Sequence, residues 1–195
     1  MFEQKVVKYE MKLLSSLAKV FQDEMPVYRP ECLKLSALWG ETVSFQAAYT
    51  GDFFMRERLD VRVVSPIEKW VRVRTVEQVP VGRATNRIVD DNYLKTTSGL
   101  YPDLLRDLKD GKAVVCSRQW RSLWIDVDVT EEIQAGDYEI EIQLVKEEEV
   151  VCSAVMKVQV IGAVLPKLDI MHTEWMHADC LADYYRVESW SEEHW

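Results

Sequence analysis

The chain has 195 residues, 48% of them hydrophobic and 29% charged, which is the composition of an ordinary globular protein long enough for one large core or for one core and a smaller second unit. Its net charge of -9 argues against a nucleic-acid backbone as partner, because that binding needs lysine and arginine clustered in surplus. No apolar run is long enough to cross a bilayer, and residues 1–10 mix charges with apolar side chains instead of forming a secretory leader, so a cytoplasmic location is expected.

Period-2 alternation dominates the chain and marks half-buried strands. Strands are expected at residues 6–14, 42–49, 59–65, 70–78, 112–117, 122–129, 138–146 and 150–160. The segment 10–21 stays open between two readings: Leu13, Leu14, Leu17 and Phe21 fit a helical stripe, while Val7, Tyr9, Met11 and Leu13 fit a strand.

Further along, residues 80–110 read as a long connection with one helical turn at 103–108, and loops of that length in compact domains tend to carry function. The clearest strand is 138–146, where Tyr138, Ile140, Ile142 and Leu144 alternate with polar residues. Gly136 marks its start, and Glu147, Glu148 and Glu149 make a polar turn into the next strand, so the two form a hairpin. Eight short strands with turns between them predict an all-β, antiparallel, immunoglobulin-like sandwich over residues 1–162.

From Gly162 onward the pattern changes. Residues 163–195 read as a linker through Val164, Leu165 and Pro166, a buried strand at 168–172, and a helix that begins near Ser191. So short a helix has little to hold it, since nucleation alone is unfavourable.

The run from His172 to Tyr185, with Ser191 to Trp195 behind it, resembles the opening of the catalytic barrel in proteins similar to glycoside hydrolase family 123. The stretches Trp39 to Gln46, Tyr101 to Leu104, Leu123 to Val127 and Ala135 to Tyr138 resemble the N-terminal sandwich of the same family. The resemblance implies a β-sandwich followed by a (β/α)₈ barrel that hydrolyses glycosidic bonds of N-acetylgalactosamine, the 2-acetamido group acting as nucleophile beside an Asp-Glu pair. That pair lies on a later barrel strand, beyond the sequence in hand, and Asp90-Asp91 does not correspond to it. Catalytic residues are therefore expected to be absent, and the chain is expected to support a barrel it does not contain. Trp175, His177 and Asp179 are expected to line a sugar pocket in a complete barrel. Partners would be a glycan, and either the rest of the barrel or a second copy held through residues 163–195. The alternative is a free-standing glycan- or protein-binding module.

Other candidates have plainer readings beside them. His172, His177, Cys180 and His194 offer imidazole and thiolate ligands, but their spacing matches no standard zinc module, so no metal and no cofactor is expected. Cys180 with a histidine lacks any orienting group for nucleophilic catalysis. Cys32, Cys116 and Cys152 form no CxxC pair and read, like Cys180, as reduced thiols. Glu131-Glu132 and Glu147 to Glu149 read as solvated turns. The cluster Arg118, Gln119, Trp120 and Arg121 reads as a strand edge held by cation and ring contacts. The seven tryptophans are expected mostly in the core, with sugar stacking as the other use of an aromatic excess.

Overall fold

The computed structural model describes residues 8–27, 29, 34–52, 56–83, 93–167, 169–175 and 177–194. The chain divides into two compact units, Met1–Leu165 and Pro166–Trp195.

Among the described residues the first unit holds ten strands: β1 (Lys8–Ser15), β2 (Lys34–Trp39), β3 (Glu41–Asp52), β4 (Glu57–Val64), β5 (Val71–Val81), β6 (Gly99–Asp107), β7 (Lys112–Val115), β8 (Arg121–Val129), β9 (Gly136–Lys146) and β10 (Glu149–Val164). They form two five-stranded sheets, in the orders β1-β3-β8-β5-β6 and β2-β10-β9-β4-β7. The fold is all-β, as expected. Among the described strands every ladder is antiparallel except that of β2, which runs parallel to β10.

Alternation explains the core. On β8, Leu123, Ile125, Val127 and Val129 are buried, and they meet Phe45, Ala47 and Tyr49 of β3. The second sheet supplies Ile140, Ile142 and Leu144 of β9 with Met156, Val158 and Val160 of β10. Each such side chain contributes roughly 1.5–3 kcal/mol through apolar burial. The β9–β10 hairpin closes through Glu147 (φ 48°) and Glu148 (φ 69°), a pair of left-handed residues whose twist matches that of the flanking strands. At the other end of β10, a side chain on Gly162 would approach Ala135 Cβ to 3.1 Å and the Trp39 ring to 3.5 Å. The Trp39 indole N–H donates there to the Ile133 carbonyl at 2.8 Å.

Several expectations need correction. No helix forms over the described part of residues 10–21: β1 ends at Ser15 and a turn follows. Residues 6 and 7, expected to open that strand, lie outside the described residues. The helical turn expected at 103–108 is strand, since β6 pairs with β5 from Gly99 to Asp107. Three leucines at 104, 105 and 108 mimic a helical stripe, and Pro102 lacks the N–H that a central strand needs. An edge strand tolerates proline, however, particularly beside a bulge, and the register shifts between Val76 and Gln78, opposite this stretch. Strand β2 was not foreseen.

In the second unit, residues 169–172 are not strand, and Ile170 and Met171 are 72% and 89% exposed. The unforeseen helix is α1 (Ala178–Tyr185), and near Ser191 there is only a 3₁₀ turn, Glu192–His194. Helix α1 ends at Arg186 in the left-handed region, with the Val187 N–H reaching back to the Ala182 carbonyl, the closure that satisfies a terminal carbonyl.

A buried carboxamide fixes the chain that leaves β1. Gln46 of β3 is 3% exposed. Its Nε2 donates to the carbonyls of Ala18 (2.7 Å), Ser16 (3.2 Å) and Ser15 (3.3 Å), and its Oε1 accepts from the Ser122 hydroxyl at 2.9 Å. Truncation would strand those groups away from water. Gln46→Ala is expected to lower stability by about 2 kcal/mol, measured as a shift of the urea midpoint at unchanged slope.

Candidate functional site

The three residues expected to contact sugar lie in the second unit. Trp175 is 98% exposed, and His177 is the residue before α1, with no side-chain cap bond. Asp179 sits in the helix's first turn, where a negative charge complements the helix dipole, and its Oδ1 is 3.9 Å from His177 Nδ1. Both side chains are largely in solvent. The structure thus brings His177 and Asp179 near one another and presents Trp175 as an open aromatic face.

His172, His177, Cys180 and His194 do not converge: among the described residues no group of three potential metal ligands forms. His172 pairs with Glu174 at 3.0 Å. His194 Nδ1 accepts from the Trp190 N–H at 2.9 Å, so its Nε2 donates to the Ala178 carbonyl at 2.8 Å. Cys180 is exposed. Of the other thiols, Cys32 lies outside the described residues, as do Asp90 and Asp91, while burial pushes the Cys152 thiol up to about 11.

In the first unit a polar constellation lies on the outward face of the sheet β1-β3-β8-β5-β6. The side chains that alternate with the core residues of β8 are Ser122, Trp124, Asp126 and Asp128. Asp126, 9% exposed, accepts from Ser44 Oγ of β3 and from Trp124 Nε1, each at 2.7 Å, and from Arg74 Nη2 of β5 at 2.5 Å. Thr42 donates to Asp128 at 2.7 Å, and Arg72 pairs with Asp107 of β6 at 2.8 Å. Burial alone would raise the Asp126 carboxyl's affinity for a proton. The three donors and the Arg74 charge outweigh it and hold the group below the usual aspartate range.

A second cluster couples the two sheets. The Tyr9 hydroxyl of β1 donates to Glu57 of β4 at 2.5 Å, and Lys146 of β9 donates to the same carboxylate at 2.9 Å. These donors hold Glu57 below the usual glutamate range against the opposing effect of burial.

The Arg118 to Arg121 cluster behaves differently from expectation in one respect. Trp120 is buried, and the cation over its ring is Lys12, 5.2 Å from the centroid. Arg118 and Arg121 face Asp52 and Glu77. Among the described residues the tryptophans are not mostly core: Trp39, Trp70 and Trp124 are half-buried, and Trp175 and Trp190 are exposed, while Trp195 lies outside the described residues.

No protein-family model and no curated protein matches this chain. Among solved structures, a family 123 glycoside hydrolase from Clostridium perfringens is similar in fold, with a TM-score of 0.64 at 14% identity. The likeness covers 96% of this chain and 34% of the hydrolase. A β-glucosidase from Listeria innocua gives a TM-score of 0.38 at 10% identity, over 84% of this chain and 17% of its own. The class defined by the fold is therefore a two-sheet β-sandwich of the kind found within a family 123 glycoside hydrolase, and the chain spans about a third of that protein's length.

The depressed Asp126 carboxyl has a definite pH signature. Its stabilisation is complete above the unfolded aspartate range, near about 4, and is lost as pH falls through the lower folded value. Asp126→Asn is expected to cost about 2 kcal/mol at neutral pH and to flatten the acid limb of stability against pH, read from urea melts between neutrality and the acid limit.

Proposed function

We propose that this chain is the N-terminal sandwich of a glycoside-hydrolase-like protein together with the opening of a (β/α)₈ barrel, and that it is not catalytic by itself. The observation that carries this reading is the fold likeness over 96% of the chain and only 34% of the hydrolase. The sandwich unit ends at residue 165 of 195, about 85% of the chain, so a likeness of that breadth reaches into the second unit. The second unit also exposes Ile170, Met171, Trp175, Tyr184, Tyr185 and Trp190, an apolar set that a completed domain would cover.

On this reading the sandwich buttresses the barrel, and the remainder of the barrel is its partner. Trp175 offers a ring face to a sugar, and His177 and Asp179 bond its hydroxyls. The substrate implied by the family resemblance is a glycan bearing N-acetylgalactosamine, no cofactor is needed, and the place of action is the cytoplasm. No helix among the described residues is long and apolar enough to cross a membrane.

The purified chain is expected to give no turnover of an aryl 2-acetamido-2-deoxy-galactoside above the buffer rate, and to sediment as a monomer whose first proteolytic cut falls between residues 166 and 177. Saturable turnover would overturn the non-catalytic role. A stable dimer that shields residues 166–194 from the protease would favour a free-standing module that associates through this segment.

A further inference from the structure

The segment after β1 combines two properties that seldom meet. It is held down firmly. Besides the three bonds from Gln46, the Val20 carbonyl accepts from Gln78 Nε2 at 3.1 Å, and the Gln22 carbonyl accepts from the Trp120 N–H at 3.0 Å. Lys95 pairs with Asp23 and Glu24, each at 2.8 Å, and lies 4.2 Å over the Phe21 ring, which meets Tyr101 edge-on at 5.7 Å. Leu14 near the end of β1 and the segment's own Val20 and Phe21 are buried, the first two against Ala48 and Trp120.

Yet the same segment holds large apolar side chains out in water: Leu17 is 88% exposed, Met25 68% and Val27 75%, with Leu94 beside them at 72%. Single exposed apolar residues are ordinary. Here the four line one groove of about 550 Å³, floored by Leu14 and Phe21. That size lies within the range of pockets that take small molecules.

The charges at the groove select among ligands. Lys19, Glu24 and Arg29 line it. Glu24 is already paired with Lys95, whereas neither Lys19 nor Arg29 has an ion-pair partner among the described residues. Among the described residues, the groove therefore offers an apolar floor with two cations at its rim that no described acid pairs.

We propose that this groove binds a small anionic amphiphile, its hydrocarbon chain lying along Leu14, Leu17, Phe21 and Met25 and its acidic head held by Lys19 and Arg29. The sheet supplies preorganisation, so that little ordering remains to be done on binding. The site lies wholly in the sandwich and does not rest on the sugar-pocket reading of Trp175, His177 and Asp179.

The test is calorimetric titration of the whole chain with decanoate, using decyltrimethylammonium and decan-1-ol as probes of the head group. Saturable binding of one decanoate per chain is expected, with the alcohol weaker and the cation weaker still. Leu17→Asp should weaken decanoate at least about tenfold, or about 1.4 kcal/mol, and the double variant Lys19→Glu, Arg29→Glu should reverse the preference toward the cation. All three side chains are exposed, so the variants should melt like the parent. Absence of saturable binding would overturn the proposal, as would affinity indifferent to head-group charge or to Leu17→Asp. So would a concentration-dependent dimer abolished by Leu17→Asp, which would assign the groove to a second copy of the chain.

Discussion

Everything in the sandwich hangs on the two-residue period of β8. As the middle strand of its sheet, it must satisfy one environment with odd-numbered residues and another with even-numbered ones, because successive side chains point to opposite faces. Leu123, Ile125, Val127 and Val129 carry the core. Ser122, Asp126 and Asp128 meet β3 and β5 on the other face through hydrogen bonds and an ion pair, and Trp124 donates to Asp126 within β8. A one-residue slip would bury the carboxylates in the core and expose the valines, so the polar face fixes register as firmly as the apolar one. Asp126 binds β3, β5 and β8 into one unit at a point where burial makes an unpaired carboxylate expensive.

How much of this could be read from the chain depended on the range of the interaction. The β9–β10 hairpin was legible because its signals are local: Tyr138, Ile140, Ile142 and Leu144 alternate, and three glutamates mark the turn. Strand β6 was obscured by Pro102 and by leucines at helical spacing, since nothing local reveals that the proline sits at an edge beside a bulge. Strand β2 left a short signal in Leu35, Ala37 and Trp39, whose parallel partner β10 lies more than a hundred residues away. Helix α1 carried its own periodicity, in Ala178, Leu181, Ala182 and Tyr185, but no capping residue announced it, because His177 gives no side-chain bond.

The polar constellation on the outer face was hidden for the same reason. Ser122, Asp126 and Asp128 read as an ordinary wet face, and the residues that convert Asp126 into a network centre stand 82 and 52 positions away, at Ser44 and Arg74. Gln46 is a similar case: a lone amide in an alternating strand gives no hint that it anchors three loop carbonyls. Trp175, His177 and Asp179 became candidates through family resemblance and not through pattern. Their side chains stand largely in solvent, so nothing in their immediate surroundings fixes a role.

The two outer faces of the sandwich are not equivalent, and the difference indicates where interaction belongs. Beyond β4, β9 and β10 the surface carries ion pairs such as Lys157 with Glu139 at 3.5 Å and Arg62 with Glu148 at 3.5 Å, all on largely exposed side chains. Pairs of that kind contribute little and tolerate substitution; they are what a face turned to solvent needs. The opposite sheet carries a half-buried carboxylate network, a buried amide and a pinned segment that displays leucine, methionine and valine. Buried polar groups need complete hydrogen bonding, and exposed apolar groups forgo the stabilisation that burial would bring. The sheet face that combines both is the one that carries the groove proposed to bind an anionic amphiphile.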